Sequence, residues 1–333
     1  MQRRAWRRGA RTATWVEAMR ALIWDGAALR VIERDPPRAD ADTAVVRVHL
    51  AGVCNTDIEI TKGYMGFRGV LGHEFVGVVE DGPPAWRGRR VAGEINFACG
   101  RCATCDRGLR RHCPQRRVMG IQGADGAFAE YVAVPLANLH AVPDAISDER
   151  AVFCEPLAAA CEVLEQVRVE PRMTALVLGD GKLGLLVAQV LAAAGARVLA
   201  VGKHDDKLAI LGRRGIATAH LDTWDRAAAD LVIEATGTAA GFALAAAATR
   251  PRSTLVLKST VARGEPLNLA PLVINEITVI GSRCGPFEPA LRALAADAID
   301  VRPLITAREP LAEGGAAFAL AARPHALKVL IEP

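Results

Sequence analysis

Residues 99–113 read CGRCATCDRGLRRHC, and this stretch holds Cys99, Cys102, Cys105 and Cys113. Thiolates this close in sequence can all bind one tetrahedral Zn²⁺, and four sulfur ligands leave the metal no open position. A disulfide knot is the alternative. However, no secretory signal peptide precedes the cluster and the other cysteines are scattered, which favours a reduced, cytoplasmic protein. The stretch therefore predicts a structural zinc lobe over residues 96–117, with the chemistry located elsewhere.

The formal charge of the 333-residue chain is +4, and it is concentrated at the N-terminus. Residues 1–18 hold five arginines against one glutamate, so the rest of the chain sums to zero. A neutral body gives no sign of nucleic-acid binding, and no stretch is long and apolar enough to cross a bilayer. We expect residues 1–18 to be a disordered basic extension, because Met19 opens a strand-like run. An arm that binds nucleic acid or a membrane surface is the alternative.

Hydrophobic patterning divides the chain into parts with different predicted secondary structure. Up to about residue 143, strand-length runs such as AVVRVHLAGV and EFVGVVED are broken by Gly, Pro and Asp. From about residue 155 to 285, runs such as ALVLG, RVLAVG, DLVIEATG, TLVLKST and ITVIGS are separated by helix-length segments, which predicts βαβ units and a parallel sheet. A helix-like PALRALAADAI then leads to strand-like VRPLITA, an Ala-rich helix and ALKVLIEP. The fold class is α/β.

A glycine-rich motif follows the first of these buried runs. Gly179, Gly181 and Gly184 form GDGKLG, directly after the strand ALVL and at the start of a helix. In that context the glycines let the backbone approach a pyrophosphate at the helix N-terminus. We therefore predict a dinucleotide site at Gly179, Asp180, Gly181, Lys182, Leu183 and Gly184.

The end of the second strand of this unit bears on which dinucleotide is bound. NAD-binding units usually carry Asp or Glu there for the ribose hydroxyls, but this chain has Gly202, Lys203 and His204. Without a carboxylate, a 2′-phosphate meets no repulsion, and Lys203 and protonated His204 attract it. We predict a preference for NADP(H). Asp205 or Asp206 taking the ribose role after a small register shift is the alternative.

A second set of metal-ligand residues is spread along the chain. Cys54 lies in AGVCNTD, His73 and Glu74 lie in VLGHEFVG, and Glu155 lies in FCEPLA. Each is ordinary alone, but together they offer a thiolate, an imidazole and a carboxylate. Such a set makes a zinc site with a fourth position open to water or substrate.

Together these motifs resemble those of the zinc-dependent medium-chain dehydrogenase/reductase family, which includes alcohol, polyol and threonine dehydrogenases. The resemblance runs from about Met19 to the C-terminus, in the family's order and spacing. The matching residues are Cys54-Asn55-Thr56-Asp57, Gly72-His73-Glu74, Cys99 to Cys113, Glu155-Pro156 and Gly179 to Gly184.

The resemblance implies two domains with the active site in the cleft between them. Residues 19–154 and 288–333 would form a GroES-like catalytic domain, and residues 155–287 a Rossmann domain that binds NADP(H). The resemblance also implies two zinc ions per chain, a small alcohol or carbonyl substrate and a homo-oligomer, dimer or tetramer. From the neutral body and the lack of a long apolar stretch, we expect no nucleic-acid or membrane partner.

The resemblance also implies the catalytic zinc ligands. Cys54 and His73 match two of them, and Glu155 stands where polyol-type members carry Glu. The neighbouring Cys154 stays open as the third ligand, because a one-residue slip would exchange carboxylate for thiolate.

Other site residues are carried over in the same way. Glu74 matches a residue that approaches or transiently binds the metal, and Asp57 one that orients the ligating histidine. Thr56 matches the hydroxyl that relays the alcohol proton, whereas Glu59 stands where some members continue the relay with His. Lys328 falls where relatives hold the cofactor pyrophosphate, and a solvated surface lysine is the alternative.

The implied activity is reversible hydride transfer between a secondary alcohol, polyol or amino alcohol and NAD(P), with zinc as Lewis acid. Glu at position 155 favours polyol, sugar, cyclitol or threonine substrates over ethanol. Tyr64, Met65 and Phe67 either line the cleft or pack in the core. Two other classes remain: a non-catalytic NADPH-binding protein, and a zinc-ribbon nucleic-acid binder suggested by the lobe and the basic extension.

Overall fold

The computed structural model describes residues 17–260 and 266–333, so the predicted extension lies almost wholly outside the described residues. The strands are β1 (Met19–Trp24), β2 (Leu29–Arg34), β3 (Thr43–Gly52), β4 (Gly69–Val70), β5 (Glu74–Asp81), β6 (Arg90–Gly93), β7 (Asn96–Phe97), β8 (Arg117–Met119), β9 (Gly123–Ala124), β10 (Tyr131–Pro135), β11 (Leu139–Ala141), β12 (Thr174–Leu178), β13 (Arg197–Gly202), β14 (Ala217–His220), β15 (Ala229–Glu234), β16 (Thr249–Leu257), β17 (Thr278–Gly281), β18 (Ile305–Pro310) and β19 (Lys328–Glu332). The α-helices are α1 (Asn55–Thr61), α2 (Ala103–Asp106), α3 (Asp148–Ala151), α4 (Cys154–Gln166), α5 (Lys182–Ala193), α6 (Asp205–Gly212), α7 (Ala239–Ala247), α8 (Ala270–Ile274), α9 (Phe287–Ala295) and α10 (Gly314–Ala321).

Strands β12 to β17 form one parallel sheet in the order β14-β13-β12-β15-β16-β17. The central strands β12 and β15 are near-continuous buried apolar runs, as expected for strands covered by helices on both faces. The order of the chain along the sheet reverses between β12 and β15, and ligands of such sheets bind at this reversal. The predicted glycine motif begins directly after β12, at that position.

The first part of the chain forms mainly antiparallel sheets. The largest has the order β11-β6-β5-β3-β19-β18, with β10 also paired to β3. Strand β3 pairs antiparallel with β5 on one side and with β19 on the other. The last strands of the chain therefore complete a sheet that begins near residue 43.

Two local features differ from the sequence pattern. The run VRPLITA was expected to be a strand from residue 301, but residues Arg302–Leu304 form a 3₁₀ turn and β18 starts at Ile305. Pro303 lacks the N–H that a strand ladder requires. The pattern also omits β14, whose residues ATAH are too few and too small to give a strand signal.

The three largest apolar clusters support this framework. One packs α4, α5 and α9 against one face of the parallel sheet, and includes Leu157, Leu186 and Leu291. A second fills the interior of the antiparallel sheets, and a third packs α7 against the other face of the parallel sheet. The ends of β3, β5, β12 and β19 are thereby held on packed elements rather than on mobile loops.

Candidate active site

The four cysteines of the lobe meet at one point. Their sulfur atoms lie within 4.8 Å of one another, and the close pairs are 3.5–4.0 Å apart. Sulfurs at about 2.3 Å from one tetrahedral zinc ion would be about 3.8 Å apart. All four thiols are free, and a disulfide bond would need about 2.05 Å. The geometry fits a closed zinc site and not a disulfide knot.

The backbone of the lobe favours thiolate at one of these ligands. Hydrogen bonds from the backbone N–H groups of Cys99 and Gln115 lower the pKa of Cys113 to about 6, although burial opposes them. Arg111 of the lobe lies 3.4 Å from each of two carboxylates outside it, Glu94 and Glu162.

A second cluster contains Cys54, His73 and Glu74, whose ligand atoms lie within 4.8 Å of one another. The register between β3 and β5 explains it, because Gly52 pairs with Glu74. Cys54 follows the end of β3 by two residues, and His73 precedes β5 by one. In an antiparallel pair the end of one strand lies beside the start of the other, so these two positions are close together. Long-range strand pairing therefore assembles the set.

Asp57 joins two members of this cluster. Its Oδ2 accepts a hydrogen bond of 2.8 Å from the backbone N–H of Cys54, and its Oδ1 lies 3.2 Å from Nδ1 of His73. Asp57 is fully buried. Burial acts to lower the pKa of His73, but the Asp57 carboxylate and the Cys54 sulfur together outweigh it and raise that pKa. With Nδ1 facing Asp57, the other ring nitrogen, Nε2, is the one available to a metal ion.

Glu155 does not belong to the group of atoms within 4.8 Å of one another. It sits in the first turn of α4. Burial raises the pKa of Glu155 to about 7, and the facing His73 lowers it while Glu74 raises it. The rival ligand Cys154 is 1% exposed within the apolar cluster around α4. Glu155 is thus the member of this pair whose charge faces the Cys54–His73–Glu74 cluster.

Lys328 is also buried beside this cluster. It is 1% exposed, which excludes the alternative of a solvated surface lysine. Its Nζ forms an ion pair with Oε2 of Glu74 and lies 3.5 Å from the Val53 carbonyl oxygen. A Cβ at Gly52 would lie 2.6 Å from Glu74 Oε2, so the pair requires glycine at that position.

Lys182 connects the metal cluster with the glycine-rich motif. It is the first residue of α5, and its Nζ donates a hydrogen bond of 3.1 Å to the carbonyl oxygen of Val53. Burial, and then the charge of Lys328, lower the pKa of Lys182. The start of α5 therefore contacts the residue before Cys54.

The predicted relay residues lie on α1. The hydroxyl oxygen of Thr56 lies 3.8 Å from the sulfur of Cys54. Glu59 forms an ion pair of 2.9 Å with Lys62 at the surface. Only Thr56 of these two is in contact with the cluster.

The candidate cleft residues after α1 separate into two kinds. Tyr64 and Phe67 are partly buried and pack against the antiparallel-sheet core. Met65 is 51% exposed and has a φ of 60°. Core packing therefore accounts for the two aromatic rings.

The glycine-rich loop fits a bound pyrophosphate. Gly179 has a φ of 119°, and a Cβ there would lie 2.5 Å from the Ala235 carbonyl oxygen after β15. A Cβ at Gly184 would lie 2.1 Å from the carbonyl oxygen of Gly179. Gly181 precedes α5 and faces open space. The loop is thus packed against β15 on one side and open at the helix N-terminus, where a phosphate binds.

At the end of β13, Lys203 is exposed and His204 is partly buried. The ring of His204 meets that of His325 edge-on at 5.3 Å. Asp206, one of the two alternative ribose residues, lies 3.3 Å from His325. Sequence reasoning missed His325, since nothing in the pattern relates the segment before β19 to β13.

One buried lysine that was not among the predicted site residues contacts α4. Lys258 Nζ donates hydrogen bonds to Ala159 O at 2.7 Å, Ser282 Oγ at 3.0 Å and Arg283 O at 3.0 Å. Burial lowers the pKa of Lys258 to about 8. Arg283 in turn donates to the carbonyl oxygen of Arg111 in the lobe at 2.7 Å. These residues connect α4 with the four-cysteine lobe.

Comparison with known proteins agrees with this arrangement. Residues 40–144 match the alcohol dehydrogenase GroES-like domain, and residues 183–298 match the zinc-binding dehydrogenase family. D-arabitol-phosphate dehydrogenase of Enterococcus avium is 31% identical over 328 residues, covering 90% of this chain and 93% of that protein. The chain belongs to the zinc-dependent medium-chain dehydrogenase/reductase family.

Solved structures of relatives extend the comparison. A zinc-binding dehydrogenase of Sinorhizobium meliloti, bound to NADP, is 28% identical with a TM-score of 0.88, over 95% of this chain and 99% of that one. RspB of Escherichia coli, complexed with NADH, is 27% identical with a TM-score of 0.89, over 96% and 100%. The dehydrogenase is thus an oxidoreductase of the alcohol and polyol type with GroES-like and Rossmann domains. Its family uses zinc and a nicotinamide cofactor.

Within residues 17–260 and 266–333, no helix has the length and apolar character needed to span a membrane.

Proposed function

We propose that this dehydrogenase reversibly oxidises a secondary alcohol, polyol or amino alcohol with NADP(H) as the preferred cofactor. The observation that carries the proposal is the contact between Lys182 Nζ and Val53 O at 3.1 Å. It joins the helix that begins at the glycine-rich loop to the residue before Cys54. A metal held at Cys54 and a cofactor held at the loop would therefore be neighbours.

The proposal assigns the catalytic zinc to Cys54, His73 and Glu155, and a structural zinc to the four cysteines of the lobe. A zinc ion at the first site supplies Lewis-acid polarisation of the substrate oxygen when bound. Glu74 lies within reach of the same position, with its charge balanced by Lys328. Asp57 fixes the orientation of His73. We also propose that Lys328 helps to bind the cofactor pyrophosphate.

Thr56 is proposed to accept the hydroxyl proton of the substrate. Its hydroxyl lies 3.8 Å from the Cys54 sulfur, next to the position where a substrate oxygen would sit. Since Glu59 is paired with Lys62, we infer that the outer part of the relay would run through water rather than through position 59.

The preference for NADP(H) is proposed from Lys203 and His204. Both follow the end of β13, and position 202 is glycine. The expected result is a higher kcat/KM with NADPH than with NADH, and the opposite order would contradict the preference while leaving the dehydrogenase proposal intact.

We also propose the domain division and the oligomeric state. Residues 19–154 and 288–333 form the catalytic domain and residues 155–287 the cofactor domain. The pairing of β18 and β19 with the sheet of β3 supports this division. The enzyme is proposed to be a cytoplasmic dimer or tetramer.

The test combines zinc analysis with a substrate screen. The proposal expects about two zinc ions per chain and NADP⁺ reduction with at least one member of a panel of secondary alcohols, polyols, inositols and threonine. A non-catalytic NADPH-binding protein would bind NADPH but reduce NADP⁺ with none of them. A zinc-ribbon protein would hold about one zinc and bind no NADPH.

A further inference from the structure

The glycine at the end of β13 is surrounded by the side chain of another residue. A Cβ built at Gly202 would lie 2.4 Å from Oδ2, 2.5 Å from Cβ and 2.6 Å from Cγ of Asp180. Asp180 belongs to the glycine-rich loop between β12 and α5. Its carboxylate therefore occupies the space of a side chain at position 202, where an NAD-binding unit usually carries its acid.

Hydrogen bonds hold the Asp180 carboxylate in this position. Oδ2 accepts from the backbone N–H groups of Lys203 at 2.6 Å and His204 at 2.8 Å. It also lies 2.9 Å from Nδ1 of the His204 ring. Burial acts to raise the pKa of Asp180, but these hydrogen bonds outweigh burial and lower it. The group is therefore an anion at neutral pH.

This anion acts against a 2′-phosphate in two ways. It occupies the backbone N–H groups of Lys203 and His204, the two residues before α6, which would otherwise be donors to a phosphate. Its charge also repels a phosphate placed beside it, whereas ribose hydroxyls can donate to a carboxylate. Lys203 and the rings of His204 and His325 lie at the same end of β13 and would attract a 2′-phosphate.

We propose that Asp180 limits the enzyme's discrimination in favour of NADP(H), because it supplies from the glycine-rich loop the ribose-facing carboxylate that position 202 lacks. The inference rests on the proposed cofactor site and concerns specificity. The preference is then a balance between Asp180 on one side and Lys203 with the two histidines on the other.

The test measures dissociation constants by titration calorimetry for NADPH and NADH, with no turnover required. Asp180→Asn keeps the shape of the side chain and removes its charge. The expected result is at least a tenfold rise in the ratio of the NADH to the NADPH dissociation constant. Asp230→Asn is the matched control, because it removes a carboxylate that also accepts a backbone N–H bond, from Thr174 at 3.0 Å, at the opposite end of β12 from the glycine-rich loop. Its ratio should stay within twofold of the unmodified enzyme.

A second variant distinguishes loss of the Asp180 charge from structural damage to the glycine-rich loop. Asp180→Gly combined with Gly202→Asp moves the carboxylate to the strand end, and its ratio should return to within threefold of the unmodified enzyme. Thermal unfolding of each variant reports whether it folds. The inference is overturned by an unchanged ratio in Asp180→Asn, or by an equal change in Asp230→Asn. Failure of the unmodified enzyme to bind either nucleotide would overturn the proposed function as well.

Discussion

The two cysteine-containing regions differ in how they are assembled. The lobe takes four identical ligand types from residues 99–113, so its sulfurs need only a local fold to meet. The Cys54–His73–Glu74 cluster takes three ligand types from the ends of two paired strands and depends on the register of Gly52 with Glu74. One site can be read from spacing, and the other exists only once the sheet has formed.

The surroundings of the two regions differ as well. Around the lobe, Arg111 faces carboxylates of other elements. Around the Cys54 cluster, Asp57 and Lys328 are fully buried and bonded to its members. Buried charged groups are costly unless paired, and they concentrate where a protein performs chemistry. We therefore propose that the lobe serves stability and the cluster serves catalysis.

Removing a ligand of the cluster should have the largest effect. In Cys54→Ala we expect kcat/KM to fall by about 10³-fold or more and bound zinc to fall from about two ions to one, because an essential metal ligand is lost. Zinc analysis and steady-state kinetics measure both. Cys154→Ala is the matched control and should keep both zinc ions. Full activity in Cys54→Ala would break the comparison.

Removing a ligand of the lobe should act on stability instead. Cys102→Ala is expected to lose one zinc ion and to lower the free energy of unfolding by about 4 kcal/mol or more, since the binding energy of a structural zinc is folding energy. The folded fraction should keep kcat within about fivefold. Denaturant unfolding and kinetics on the same sample measure the two. A collapse of kcat with unchanged stability would reverse the assigned roles.

The proposed proton acceptor gives a smaller effect. Thr56→Val removes the hydroxyl near Cys54, and we expect kcat to fall by about 10²-fold with both zinc ions retained. Thr61→Val on the same helix is the control, because the Thr61 hydroxyl donates to the Ile58 carbonyl oxygen of its own helix at 2.7 Å. Equal kcat in the two variants would remove Thr56 from the mechanism.

Lys258, whose contacts connect α4 with the four-cysteine lobe, should give the smallest effect. Lys258 has a pKa of about 8, below its usual value because of burial. From about pH 8 to 10 the unfolded chain keeps this proton while the folded enzyme has lost it, so unfolding free energy rises with pH. Relative to Lys258→Met, the unmodified enzyme should gain about 2 kcal/mol over this window. Parallel stability curves would show that Lys258 titrates normally.

Sequence reasoning reached further in some regions than in others. The strands β12 and β13 and the glycine-rich loop follow from local apolar runs and glycine spacing. The short strand β14 and the turn at Pro303 did not, because four small residues give no pattern and a proline interrupts one. The Glu74–Lys328 pair and the position of Asp180 against Gly202 depend on contacts between distant segments, which no local pattern contains.

The most direct test of the central claim is zinc content and activity followed together during treatment with a chelator. The account predicts about two zinc ions per chain, with activity lost in step with the first and the second released only as the protein unfolds. That order follows because the Cys54 site has an open position and the four-cysteine site has none. Activity that persists after the first zinc is removed, or a chain that holds only one zinc while active, would contradict it.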